Sequence, residues 1–375
     1  MNFNALILSL LTMFFVGDAN QPQAKSAKKP KAKRPNIILM IGDGMGHAQL
    51  STALFYGNKE PQYLRFPIVG LSRTSSSSHK ITDSAAGATA FSCGVKTYNG
   101  SIGMAADTTA LETILEYLDK ENWKTGVIAT SSITHATPAS FYAHVPLRKQ
   151  EFEIAEQFLS SQVDFAAGGG KRFFFNRLDE RNLYPDFAKA GIEVDTTALE
   201  AKEWQKDKRY AYLLAKDGMT PVYKGRDEFL PNATAMALDY FDATAGDEPF
   251  FMMVEGSQID WGGHANNGEY LVNEMLDFDK AIGVALDYAE KDGNTIVIVT
   301  ADHECGGFAM VSEEVEVPFR GKQSDYDSLR FSFGSGGHSS TMVPVLAYGP
   351  GSQIFSGIYQ NNSIYQKMMM LAGYN

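Results

Sequence analysis

Three glycine-flanked stretches place acids and imidazoles directly after apolar runs. Asp43 sits in GDGMG after NIILMI, Glu255, Asp260 and His264 sit in EGSQIDWGGH after PFFMMV, and Asp302 and His303 sit in ADHECGG after NTIVIVT. A fourth stretch, SGGHSST, brings His338 in similar company. Taken singly, such an Asp is ordinarily a turn or a cap, and such a His a surface or core residue. Together they differ, because three of the seven histidines and four carboxylates fall at these places. Imidazole with carboxylate is the donor inventory of zinc. The spacing Asp260-x-x-x-His264 can put both donors on one side of a turn. His47, His79 and His144 lack this context and read as structural or surface residues.

A nucleophile has to come from elsewhere, and KITDSAAGATAFSCG, residues 80 to 94, offers one. Ser84 stands between an acid and a run of Ala and Gly. Thr82, Asp83 and Ser84 are all good helix caps and the Ala-rich run is a good helix former, so the segment reads as a capped helix. An exposed helix N-terminus also favours negative charge, and small residues let a bulky anion approach the backbone. The two readings are compatible.

These groups must be positioned by something regular. NIILMI (36–41), KTGVIAT (124–130), PFFMMV (249–254), NTIVIVT (294–300) and VPVLAYG (343–349) read as buried strands. Helical patterns run through 110–121, 153–161 and 270–291. The alternation predicts an α/β fold, a largely parallel sheet sandwiched by helices on both faces. Ligand sites in such sheets lie at the carboxyl ends of the strands, so the four motifs should converge. The polar stretch from about 304 to 336 reads as a small surface insertion.

At 375 residues and 44 % hydrophobic, the chain can bury a large core. Residues 1–19 read as a signal peptide, with an apolar block at 5–17 and small residues suited to cleavage after Ala19, which implies a periplasmic or secreted protein. No basic residue precedes that block and six follow soon after, so a retained N-terminal anchor stays open. Otherwise no stable membrane span is expected after processing. Residues 20–35 read as a basic linker and 36–375 as the catalytic domain. Only one of the 44 acidic residues but six of the 33 basic ones lie before Pro35, which leaves the folded part 16 charges negative. Such a surface repels nucleic acid. Cys93 and Cys305 can be a disulfide pair or two buried thiols, and Cys305 carries no role beyond packing.

The motifs as a set resemble the alkaline phosphatase family in its compact bacterial form. DGMG, TDSAAGATA, HATPASFYAHVPLR, EGSQIDWGGH, TADHECGG and GGHSST occur in the family's order over nearly the whole chain after residue 35. The resemblance implies small phosphomonoesters as substrates and a homodimer. It implies one zinc on Asp260, His264 and His338, a second on Asp43, Asp302 and His303, and a third ion, magnesium, facing Asp43, Thr137 and Glu255. Ser84 would be the nucleophile, deprotonated against the second zinc, with Ala85, Ala86 and Gly87 leaving room for the phosphoryl group. Arg148 would grip phosphate oxygens, positioned by Asp83. His135 and Trp261 depart from the enterobacterial members, which carry Asp and Lys there. The first change should weaken magnesium binding and the second should loosen the hold on phosphate.

Related readings share the paired-metal scaffold: phosphodiesterases, and phosphonate- or sulfate-cleaving enzymes. Arg148 and the third-ion residues favour a monoester, which carries more charge. A metal- or phosphate-binding protein without turnover would need no nucleophile at Ser84, and no G-x-S-x-G elbow marks a classical serine hydrolase.

Overall fold

The computed structural model describes residues 33–374. The expected signal peptide and most of the basic linker lie outside them. The strand Asn36–Gly42 is central because it is apolar on both faces: Ile37, Leu39 and Ile41 point into one core, Ile38 and Met40 into the other. Phe251 and Met253 against Met252 and Val254, and Ile296 and Ile298 against Val297 and Val299, repeat the division on its two neighbours. A continuous apolar run is what a strand covered on both sides requires.

Ten strands make this sheet. In spatial order they are Gly357–Gln360, Ile68–Arg73, Val343–Tyr348, Thr295–Thr300, Asn36–Gly42, Phe250–Gly256, Lys124–Ser132, Phe165–Gly169, Arg209–Ala215 and Ile192–Asp195. Val343–Tyr348 runs antiparallel to both its neighbours; the other pairings are parallel. All five expected strands are present, and the fold is the expected α/β sandwich.

One face is covered by helices that include Ser84–Cys93 and Ser363–Leu371, the other by Phe229–Thr244 and Gly268–Asp292. The last of these begins where Asn267 accepts from the Tyr270 N–H and stops at Gly293, whose positive φ of 70° suits glycine. Between Thr295–Thr300 and Val343–Tyr348 the chain is not a loop. Phe308–Val317 and Gly321–Phe333 form a largely exposed antiparallel ribbon, and Glu304–Cys305 pairs with His338–Ser339 at its base.

Candidate active site

Register sets the first acids side by side. Ile41 lies opposite Glu255 across the parallel ladder, so Asp43, two residues on, turns out beside the Glu255 carboxylate. The helix Gln258–His264 follows at once and carries Asp260 and His264 one turn apart. Asp302 and His303 leave the end of Thr295–Thr300, and both are fully buried.

Three donor groupings result. In the first, the Nε2 atoms of His264 and His338 lie 3.4 and 3.5 Å from the two Asp260 carboxylate oxygens and 3.1 Å from each other. Each Nδ1–H donates to a backbone carbonyl, that of Gly336 at 2.8 Å for His264 and that of Thr82 at 2.9 Å for His338. Both Nε2 lone pairs are thereby turned toward Asp260, the arrangement that orients imidazoles for an ion. Cys305 joins this grouping.

The second grouping is Asp43, Asp302 and His303. Asp302 Oδ1 accepts from the Gly44 and His303 N–H groups, which leaves Oδ2 facing His303 Nε2 at 3.2 Å. His303 Nε2 is 3.5 Å from Asp43 Oδ1, and Ser84 Oγ is 3.3 Å from the first atom and 3.5 Å from the second. The third grouping is Asp43, His135 and Glu255. Thr137 lies on the short helix Ala136–Ala139, two residues beyond His135.

Ser84 opens the helix Ser84–Cys93, and Asp83 is its cap, accepting from the Ala86 N–H at 3.1 Å. The other Asp83 oxygen accepts from Arg148 Nη1 at 3.1 Å, and Arg148 Nη2 donates to His135 Nε2 at 3.4 Å. Capping and bracing the arginine are thus done by one carboxylate. Gly87 makes room for Asp302. A Cβ there would lie 3.0 Å from Asp302 Cβ and 3.3 Å from its carbonyl oxygen. Trp261 meets the His135 ring edge-on at 6.0 Å and packs against Gly218.

Among the described residues, Asp43 Oδ2, Thr137 Oγ1, Glu255 Oε1, Asp260 Oδ1 and Asp302 Oδ2 are buried with no hydrogen-bond partner. Such atoms are rare in folded proteins and costly. The titration of the acids tells the same story. Burial raises the Asp43 carboxyl well above its ordinary range, and repulsion from Asp302, Asp260 and Glu255 adds to it. Burial pushes Glu255 up to about 7 although Ser257 donates to it at 2.6 Å. Asp260 is opposite in sign: burial works against its charge, but the adjacent His338, with His303 and His264, holds it below the usual range. Burial, helped by Arg148, lowers His135 to about 3, so it is neutral and able to act as a donor. Burial and the Asp260 carboxylate keep the Cys305 thiol protonated when no cation is near. Unpaired carboxylate oxygens that repel one another fit divalent cations.

All thirteen residues singled out in the sequence fall in or beside this cluster. The residue missed is Cys305. Its nearness to His303 in the chain is visible, but the two-residue bridge that sets it opposite His338 is not. A cleft of 1050 Å³ lined by Tyr56, Arg226 and Asp277 holds none of these residues. Cys93 and Cys305 are both buried and unpaired. His144, read as structural, bridges Glu116 at 2.9 Å and the Gly103 carbonyl at 2.8 Å.

A buried serine, an arginine fork and clustered cation donors at the carboxyl ends of a parallel sheet define a class, the α/β enzymes that hydrolyse anionic esters. The alkaline phosphatase family profile matches residues 34–331. Alkaline phosphatase 3 of Bacillus subtilis strain 168 is 32 % identical, covering 98 % of this chain and 96 % of that protein. The alkaline phosphatase of the Antarctic bacterium TAB5 has a TM-score of 0.86 at 46 % identity, over 92 % of this chain and 99 % of that one. A His 135 Asp mutant of the TAB5 enzyme, with Mg bound in its M3 site, has a TM-score of 0.87 at 47 % identity over the same shares. This chain belongs to the alkaline phosphatase family and is a phosphomonoester hydrolase.

Proposed function

We propose that hydrolysis runs through a phosphoserine at Ser84, with zinc in the two groupings built on Asp260 and Asp302 and a third ion, magnesium, beside Asp43, Thr137 and Glu255. The observation that carries the reading is Ser84 Oγ, within 3.5 Å of both His303 Nε2 and Asp43 Oδ1 at the first position of a helix. A phosphate monoester repels an incoming oxyanion, so catalysis must neutralise charge and hold attacking and leaving oxygens in line. Bound divalent cations would supply that neutralisation and help remove the serine proton.

The chain's own groups do the rest. Ser84 Oγ attacks phosphorus as the bond to the alcohol breaks, and water then cleaves the phosphoserine to release phosphate and restore the hydroxyl. Arg148, braced by Asp83, grips two phosphoryl oxygens through its planar fork. His135 stands where enterobacterial members carry a carboxylate, and the TAB5 variant with Mg bound in its M3 site is one in which a His became Asp. Trp261 offers phosphate no cationic contact.

In the same proposal the protein is exported, its N-terminal segment either cleaved or retained as an anchor, and works as a homodimer. No helix among the described residues is long and apolar enough to cross a membrane. The test is hydrolysis of a mono- and a diester of one chromogenic alcohol, before and after chelation and with zinc or magnesium restored. Monoester preference and a phosphoserine lost in Ser84→Ala are expected. A diester preference, or turnover untouched by chelation, would overturn the reading.

A further inference from the structure

Cys305 is fully buried. It pairs across the Glu304–Cys305 and His338–Ser339 bridge with His338, and cross-strand partners project to the same face. Two glycines make its place. A Cβ at Gly263, next to His264 in the chain, would stand 3.0 Å from the Cys305 sulfur, and one at Gly44, next to Asp43, would stand 2.9 Å from its Cβ. The sulfur, one Asp260 oxygen and the imidazole nitrogens of His264 and His338 all lie within 4.8 Å of one another. A second observation points the same way: Asp260, 4 % exposed, turns an unpartnered Oδ1 into this space.

We infer that Cys305 is a fourth protein donor to the ion held by Asp260, His264 and His338. The inference rests on the ion reading above. Binding exchanges the S–H bond for a sulfur–metal bond, and the thiol proton leaves to solvent. A carboxylate, two imidazoles and one thiolate form a softer set than a carboxylate and two imidazoles, so the site favours thiophilic ions such as zinc and cadmium over harder ones. With Cys305 among them, the residues that would hold this ion number four.

The test uses the full chain stripped with a chelator and reloaded with Co²⁺, which reports its own ligands. A near-ultraviolet thiolate-to-cobalt absorption band is expected, beside the visible bands of bound cobalt. Cys305→Ser should abolish the first, keep the second, and weaken Cd²⁺ binding at this site at least tenfold. Should that variant fail to fold, Cys93→Ser, which removes the other thiol, must keep the band. Cobalt bound without the thiolate band overturns the role of Cys305 and leaves the ion reading standing. No bound cobalt at all overturns both.

Discussion

The rings of His303 and His338 stack with centroids 3.5 Å apart and planes 19° from parallel. Each belongs to a different donor grouping, so the two groupings share a wall, and removing one ring loosens the other. His338→Ala is expected to lower bound metal by at least one ion per chain and the rate by 100-fold or more, in line with the roughly 10–100-fold affinity cost of losing even an outer partner. Metal content after gel filtration measures the first and steady-state hydrolysis the second; full metal content in the variant would refute the pairing.

Gly87 predicts a split between stability and function. Glycine inside a helix costs about 1 kcal/mol relative to alanine, so Gly87→Ala gains helix propensity. The added Cβ, 3.0 Å from Asp302 Cβ, pushes that carboxylate aside by a few tenths of an ångström. A shift of that size uses up most of the roughly 0.5 Å within which a site must be held. Metal affinity should therefore fall about tenfold while the melting temperature of the chelated protein holds or rises. A fall in both would show that the substitution merely disrupts packing.

The acids predict a pH dependence whose sign follows from their direction of shift. Asp43 and Glu255 have folded-state pKa values above their ordinary ones, about 7 for Glu255. A raised carboxyl binds more protons folded than unfolded, so its contribution is present below the unfolded value and is lost as pH rises through the folded one. His135, lowered to about 3, works in the opposite direction up to about pH 6.5, so the chelated protein should lose melting temperature chiefly as pH rises above about 6.5, while the ion-loaded protein should not. Ions added at pH 7 should release protons, read by calorimetry in two buffers of different ionisation enthalpy. Equal apparent heats in the two buffers would contradict this.

His135 makes a prediction about the third ion. Its imidazole is buried and held neutral, pushed down to about 3, so it adds a nitrogen donor and no charge to Asp43 and Glu255. Magnesium prefers oxygen. His135→Asp should tighten magnesium binding about tenfold or more and reduce zinc competition, both measured by titration of the zinc-loaded enzyme. Unchanged magnesium affinity would count against it.

Much of this was legible along the chain because it is local. Ile37 to Ile41 and Thr295 to Thr300 declare buried strands by composition, and the acids and imidazoles declare their chemistry by residue type. Asp83 declares a helix start by its place before an alanine run. Five strands of the ten-stranded sheet were not legible. Phe165–Gly169 is FAAGG and Ile68–Arg73 is IVGLSR, too small or too mixed to show a period, and they are strands because neighbours offer them a ladder. The ribbon from Phe308 to Phe333 is likewise held by pairing, not by any apolar pattern.

The sequence by itself determined which donors this protein owns and that each would stand at the end of a strand or the start of a helix, since turn chemistry and apolar runs act over a few residues. Only the tertiary structure decided which donors meet. It reversed Val343–Tyr348, gave Gly87 to Asp302, and carried Cys305 across a two-residue bridge to His338. Such meetings depend on how distant segments pair and pack, and no short window of residues encodes that.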